Sequence, residues 1–280
     1  MNWTFNCAAV IPCLNEAAAI GPLVAAVRER LPHVIVVDDG STDGTATVAR
    51  RAGAEVLRHA TPRGKGAALQ TGWRHACGRG FFWALNLDGD GQHAPADIPA
   101  FLLRAERSSA RLVVGNRMGQ AERMPWLRRR VNRWMSARIS RVAGRALPDS
   151  QCGFRLMHLG AWAALPIAAT HFEIESEVLL AFAGAGLRVE FVPVQVLYQS
   201  ERSKIRPWRD TVRWLRWWRN ARAAQTIPAR AGCLMPQAKN SGQALQRGGA
   251  SGRGFAEMED QEAVQELAQL GDLRVAQFQP

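Results

Sequence analysis

Short apolar runs alternate with amphipathic stretches through the first half of the chain. Phe5 to Pro12 is apolar and closes on a proline, which predicts a strand, and Ala17 to Leu31 has helical character. His33 to Val37 is β-branched and ends in Asp38-Asp39-Gly40-Ser41, a second strand with a polar end. Thr42 to Ala52 reads as a helix, Ala54 to Leu57 as a short strand and Gly66 to Cys77 as a helix. Phe81 to Leu87 then reads as a strand, Ala96 to Arg107 as a helix and Arg111 to Gly115 as a strand. Repeated strand–helix–strand order predicts an α/β fold, a mostly parallel twisted sheet with helices on both faces. Polar residues gather just after four of the strands: Asn15-Glu16, Asp38-Asp39, Asp88 to Gln92 and Asn116-Arg117. Ligands of open α/β sheets bind outside the carboxyl ends of the strands, so these four ends describe one cleft.

The second half is less regular. Pro125 to Arg145 is helical and heavily basic, and Asp149 to Met157 is a loop leading into a strand. Phe172 to Ala185 predicts a helix, and Arg188 to Tyr198 one or two strands interrupted by Pro193. Pro207 to Arg222 is a helix crowded with Trp and Arg. It is expected to line Trp208, Val212, Leu215 and Trp218 along one face, beside Arg209, Arg213, Arg216 and Arg219. Beyond Pro228 the pattern fails, and residues 229–280 are expected to form a flexible tail.

Composition narrows the picture. The 280 residues are 47% apolar, enough for a packed core. No run of about 18 uninterrupted apolar residues exists, so no membrane-spanning helix is expected. The N-terminal apolar run lacks a basic lead and stops at Pro12, unlike a secretory signal, and the expected compartment is the cytoplasm. Five cysteines without a Cys-x-x-Cys pair speak against a disulfide framework or zinc site. The net charge is +12; residues 230–280 contribute −1 and the first 229 residues +13. That excess implies an anionic partner: a phosphate-bearing substrate, an anionic membrane surface or nucleic acid. The Trp- and Arg-rich segments 126–145 and 207–222 suit helices lying in a membrane interface at the inner face of the membrane. Against nucleic acid stand the acidic strand ends, which repel a polyanion, so a non-enzymatic polyanion-binding module is the weaker reading.

Asp88-Gly89-Asp90-Gly91-Gln92-His93 is the sharpest motif. Two carboxylates separated by glycine after a buried strand suit a hard divalent cation that also binds diphosphate oxygens; a plain polar turn is the other reading. Val36 to Thr45 is the second: Asp38 and Asp39 can accept ribose hydroxyls or a base N–H, while Ser41 or Thr42 can cap a helix with Asp43 in its first turn. Val10 to Glu16 is a strand ending in a proline turn with an acid. Arg63-Gly64-Lys65-Gly66 places a glycine-flanked cation ahead of a helix, like a phosphate cradle without full P-loop spacing. Lys65 is one of only three lysines, with Lys204 and Lys239.

Val10 to Glu16, Val36 to Thr45, Gly64 to Gly72, Leu87 to His93, Val113 to Arg117 and Asp149 to Leu156 fall in order and spacing, extended by Phe172 to Glu175 and by Ser203-Lys204 with Asp210. Over roughly residues 5–215 the chain resembles the family 2 glycosyltransferases of GT-A fold, in the branch of dolichyl- or polyprenyl-phosphate mannose and glucose synthases. The resemblance implies a GT-A domain over 1–228, with a Rossmann-like nucleotide-sugar-binding half (5–117) and an acceptor- and membrane-facing half (118–228). It implies that Pro12, Leu14 and Glu16 line the nucleotide pocket and that Asp39 holds the base or ribose. Asp88 and Asp90, helped by Gln92, would hold Mg²⁺ or Mn²⁺ against the diphosphate. Lys65, Arg117, Arg202, Ser203 and Lys204 would face donor or acceptor phosphate. The reaction implied is inverting transfer of a hexose from GDP-mannose or UDP-glucose to polyprenyl phosphate. A hydroxyl acceptor on another lipid or an envelope glycan is the alternative, and it alone needs a general base, for which Asp149 and Glu173 are the candidates. The chain departs from the branch in showing no C-terminal membrane helices and in having Arg202 where a glycine usually precedes the Ser-Lys pair.

Overall fold

The computed structural model describes residues 2–196 and 207–223, which lie in the first of two compact units, Met1–Gly232 and Cys233–Pro280. The elements run α1 (Trp3–Asn6), β1 (Cys7–Cys13), α2 (Ala17–Arg28), β2 (Val34–Asp38), α3 (Thr45–Arg51), β3 (Glu55–Arg58), α4 (Lys65–Gly78), β4 (Trp83–Asn86), α5 (Ile98–Ser108) and β5 (Leu112–Asn116). They continue with α6 (Trp126–Ala143), β6 (Arg155–His158), α7 (Leu159–Ala163), α8 (Ile174–Gly184), β7 (Val189–Pro193) and α9 (Pro207–Ala223). The seven strands form one sheet in the order β3-β2-β1-β4-β6-β5-β7. β3, β2, β1 and β4 pair in parallel, as do β5 and β7, whereas β6 runs antiparallel to both β4 and β5. Six strands therefore share one direction. The carboxyl ends of β1, β2, β4 and β5 lie along one edge, and because β6 is reversed, the Asp149–Phe154 segment leading into it lies on that edge too.

β1, β2 and β4 are buried along their whole length, which is why their sequences read as unbroken apolar runs rather than alternating ones. Each large apolar side chain fully buried here, such as Ile11, Ile35 and Leu85, contributes about 1.5–3 kcal/mol relative to exposure. Gly72 lets α4 lie against β1 and β2: a Cβ there would stand 2.4 Å from Val10 Cγ1. Backbone-to-sheet approach of that kind anchors the N-terminal end of α4 near the polar edge.

Several expected elements take different bounds. Phe5 and Asn6 belong to α1, and Phe5 is exposed; the sheet ladder begins only at Cys7, opposite Trp83. α3 starts at Thr45 rather than Thr42, after Gly44 at φ 86°. α7 was not legible as an element. Tyr198 and the 229–280 tail lie outside the described residues. The apolar face expected for α9 is also rotated. Thr211, Trp214 and Trp218 are buried and Val212 is exposed, with the Trp214 indole N–H donating to Ser176 Oγ at 2.8 Å. Trp214 stacks on Trp218 at 5.2 Å and meets Trp134 of α6 at 5.4 Å, so these indoles pack on the protein instead of facing outward. Arg216 and Arg219 remain exposed, as do Trp126, Arg130, Arg133 and Arg141 on one face of α6. Among the described residues no helix is long and apolar enough to cross a membrane.

Candidate active site

The ends of β1 and β2 are laced together by side chains. Ser41 Oγ accepts Asn15 N–H at 2.9 Å, Thr45 Oγ1 accepts Glu16 N–H at 2.8 Å, and Asp43 Oδ2 accepts Ala17 N–H at 3.0 Å. These groups satisfy the open N–H donors at the start of α2. Ser41 thus serves the segment leading into α2, while Asp43 serves both helices: its Oδ1 also accepts the N–H of Thr45, the first residue of α3, at 3.1 Å. Asn15 sits at φ 53° and accepts Thr42 N–H, which closes the loop in which Leu14 is exposed, Glu16 half-buried and Pro12 buried.

Asp39 is almost wholly buried, and three donors reach it. Oδ1 takes His59 Nδ1 at 2.6 Å and Arg63 N–H at 2.8 Å, and Oδ2 takes Gly64 N–H at 2.8 Å. His59 Nε2 stands 3.1 Å from Thr71 Oγ1. The expected ligand-facing carboxylate is therefore also the tie that fixes the 59–64 loop, with one Oδ2 lone pair left. Asp38 accepts Ser41 N–H at 2.8 Å and pairs with Arg58 at 3.2 Å.

Asp88 and Asp90 follow β4 in the centre of the sheet, beside β1. Gly89 is required there: a Cβ would stand 2.5 Å from Cys13 Sγ, and Gly91 adopts φ 70°. Lys65 Nζ lies 2.6 Å from Asp88 Oδ1 and 2.6 Å from Glu175 Oε1, while His93 Nε2 is 3.4 Å from Asp88 Oδ2. Burial pushes the Asp88 carboxyl up, but the Lys65 ammonium and His93 outweigh it and hold Asp88 well below the usual carboxylate range. Asp90 goes the other way. Burial and then the Asp88 charge raise it, and the Gln92 N–H at 3.0 Å offsets this only in part. Burial lowers Lys65, yet the two carboxylates raise it above an ordinary lysine.

The phosphate-cradle expectation for Arg63–Gly66 is not what the structure shows. A Cβ on Gly64 would meet Thr170 O at 2.5 Å and one on Gly66 would meet Ala169 O at 2.5 Å, and Ala67 N–H is taken by Thr170 O. The glycines admit the 169–171 backbone, and Lys65 faces carboxylates.

Arg117, just past β5, makes a bidentate pair with Asp149: Nε to Oδ2 at 2.8 Å and Nη2 to Oδ1 at 2.8 Å. Asp149 has no solvent exposure and also accepts Asn132 Nδ2 at 3.0 Å and Arg117 N–H at 3.1 Å. Burial raises its carboxyl, but Arg117 more than compensates, leaving it below the usual range, and its oxygens are fully engaged. Those properties do not suit a general base. Glu173 is nearly buried at the N-cap of α8, and its side chain caps no N–H there. Arg202, Ser203 and Lys204 lie outside the described residues; Val196, the last residue before that stretch, bridges to His93.

The edge therefore brings together Pro12, Leu14, Glu16, Asp39, Asp88, Asp90, Gln92, Lys65, Arg117 and Asp149. Glu175 and His59 escaped sequence reasoning. Glu175 was visible only as the second acid of Phe172–Glu175, and His59 carried no signal. Among the described residues, no three His, Cys, Asp or Glu side chains cluster to hold a metal by themselves.

Residues 8–162, more than half of the chain, match the model of the family described as Glycosyl transferase family 2. An undecaprenyl-phosphate mannosyltransferase of Micrococcus luteus is 30% identical over 199 residues, covering 66% of this chain and 81% of that protein. A polyprenol monophosphomannose synthase of Mycolicibacterium smegmatis is 30% identical over 157 residues, covering 52% of this chain and 59% of that one. Among solved structures, glucosyl-3-phosphoglycerate synthase of Mycobacterium tuberculosis, in complex with Mn²⁺, UDP and phosphoglyceric acid, superposes with a TM-score of 0.62 at 21% identity. That match covers 81% of this chain and 80% of the other, and the fold it supports is GT-A. With the acidic strand ends ordered along one edge of that sheet, the chain belongs to glycosyl transferase family 2 and is a glycosyltransferase.

Proposed function

We propose that the protein is a metal-dependent, inverting hexosyltransferase that moves sugar from a GDP-mannose- or UDP-glucose-type donor to polyprenyl phosphate at an anionic membrane surface. The observation that carries this reading is the Asp88–Asp90 pair. Two carboxylates share one loop, and burial together with the charge on the first raises the second, an arrangement that binding a cation relieves. Asp88 and Asp90, helped by Gln92, would hold Mg²⁺ or Mn²⁺, hard cations whose preference for oxygen ligands fits this carboxylate pair and a diphosphate. When bound, the ion neutralises charge that develops on the leaving nucleoside diphosphate.

The chain's own residues account for the remainder. Asp39, with its one open lone pair, orients the base or ribose in the pocket shaped by Pro12, Leu14 and Glu16. Arg117, locked by Asp149, presents a fixed cation on the same edge for a phosphate oxygen. Arg202, Ser203 and Lys204 complete the phosphate-facing set in this reading. An acceptor phosphate is already ionised at neutral pH and needs no base, which accords with the engaged state of Asp149. The relatives named for undecaprenyl phosphate and polyprenol support the same acceptor. Attack opposite the leaving group inverts the anomeric carbon. The exposed Arg130, Arg133 and Arg141 of α6, with Arg216 and Arg219 of α9, supply the face for anionic lipid, each worth about 1 kcal/mol near such a surface.

A panel of labelled nucleotide-sugars, incubated with the full chain and membranes with and without EDTA, tests this. The expected product is an organic-extractable, mild-acid-labile sugar lipid whose formation stops with EDTA and returns with Mg²⁺ or Mn²⁺. Undiminished product in EDTA removes the metal from the reading. An alkali- and acid-stable glycolipid selects the hydroxyl acceptor, with Glu173 as the remaining candidate base.

A further inference from the structure

Lys65 is held by two elements distant in sequence. Its ammonium bridges Asp88, after β4, and Glu175, in the first turn of α8, at 2.6 Å each. The Lys65 side chain is 15% exposed and that of Glu175 only 5%. Three glycines build the place. Without Gly64 and Gly66 the 169–171 backbone could not approach α4, and a Cβ on Gly153 would stand 2.6 Å from Asp88 Oδ1. The Phe172 ring lies 5.6 Å from the ammonium, and the Glu175 Oε2 atom is buried with no hydrogen-bond partner among the described residues. Glu175 thus has more acceptor capacity than it uses, while Asp88 serves two basic groups, Lys65 and His93.

Charge balance gives this arrangement a direction. Asp88 and Glu175 share the single Lys65 ammonium, Asp90 stands on the same loop as Asp88, and His93 lies 3.4 Å from Asp88 Oδ2. An ammonium and a divalent cation cannot both sit at contact distance on Asp88 Oδ1 without strong mutual repulsion.

We propose that Lys65 is an exchangeable counterion and a positioning residue: it neutralises Asp88 in the donor-free protein and is handed to Glu175 when a divalent cation takes Asp88. Glu175 is the retaining partner that keeps the displaced ammonium inside the site, where it can turn to a phosphate oxygen of the donor. The inference rests on the reading that Asp88 and Asp90 bind the metal. Its signature is competition. Lysine and metal oppose each other at Asp88 in the absence of nucleotide, and the lysine moves when the metal binds, whereas a lysine that only braces the fold stays where it is.

Two measurements on the full chain decide it. Mn²⁺ binding without nucleotide is followed by the electron paramagnetic resonance of the free ion. Lys65→Met is expected to bind Mn²⁺ at least about tenfold more tightly than wild type, and to lose much of the further tightening that UDP or GDP brings. Binding equal to or weaker than wild type by a variant with a wild-type urea midpoint overturns the proposal. The second measurement needs no Lys65 variant to fold. The chain contains three lysines, so lysine labelled with ¹³C at Cε gives three signals, and Lys204→Gln with Lys239→Gln leaves Lys65 alone. Saturating Mg²⁺ is expected to shift that signal, and Glu175→Gln to change where it ends. A signal that stays in place while Mg²⁺ demonstrably binds rejects the exchange and leaves the metal site standing. Failure of the wild type to bind Mn²⁺ or Mg²⁺, with or without nucleotide, rejects the metal site and the exchange with it.

Discussion

Two pairs of aspartates stand at the ends of neighbouring parallel strands, and their surroundings differ. Asp38 and Asp39, at the end of β2, accept backbone N–H groups from Ser41, Arg63 and Gly64, and each also faces one basic side chain, Arg58 or His59. Among the described residues, Asp88 and Asp90, after β4, receive one backbone N–H, from Gln92, and otherwise face Lys65 and His93. The first pair is completed by the fold and gives rigidity. The second is left short of donors in a partly buried place, a condition that folding tolerates only when another positive charge restores the balance. Carboxylates of identical type and similar position thereby differ in how far the described residues complete them, and the proposed metal role falls on the less completed pair.

The largest expected effect comes from the second pair. Asp90→Asn is expected to lower kcat/KM on the order of a thousandfold, about 4 kcal/mol. It leaves thermal stability equal or slightly higher, because it removes a like charge beside Asp88. Steady-state kinetics with calorimetry checks both, and a variant with full activity breaks the contrast. Asp39→Ala is expected to do the reverse in proportion. Three buried donors lose their acceptor, costing about 3 kcal/mol and roughly 6–12 °C in melting temperature for a domain of this size, along with weaker donor binding. Thermal unfolding in the absence of any donor measures the structural part.

The smallest effect is a pH dependence. Asp149 has its folded carboxyl below the ordinary value, so its pairing with Arg117 stabilises the protein above the unfolded value, about pH 4, and is lost as pH falls towards the folded one. Asp149→Asn is expected to cost about 2 kcal/mol at neutral pH and to flatten the decline in stability below about pH 4. Urea midpoints across pH 2–7 check it. A decline as steep as that of wild type assigns the acid sensitivity elsewhere.

Much of this was legible in the sequence, for definable reasons. β1, β2 and β4 are buried on both faces, and continuous apolar runs report such strands directly. Polar strand ends mark the ligand edge because nothing in a core tolerates Asp88 or Asp39 unpartnered. What stayed hidden depends on contacts across the chain. Ser41 and Asp43 carry the signature of helix capping, and Asp43 does accept the Thr45 N–H at the start of α3, but the two also serve Asn15 and Ala17, more than 20 residues away. Glu173 and Glu175 are equivalent in a linear pattern; only the start of α8 and its rotation turn Glu175 towards Lys65. The face of α9 was misjudged for a related reason. Residues 208, 212, 215 and 218 form a plausible stripe, yet the polar Thr211 joins Trp214 and Trp218 in the contact while Val212 faces out.

The reversed strand β6 has an evolutionary consequence. β5 is held to β4 only through β6, and β6 belongs to the later part of the chain. A fragment ending near Arg117 would carry β5 with no neighbour to pair with, and β4 would become an edge. The region after Arg117 therefore cannot be exchanged between proteins as a cassette appended to an autonomous N-terminal fold. Variation in this region is confined to substitution within its loops and helices, while the woven strand is inherited intact.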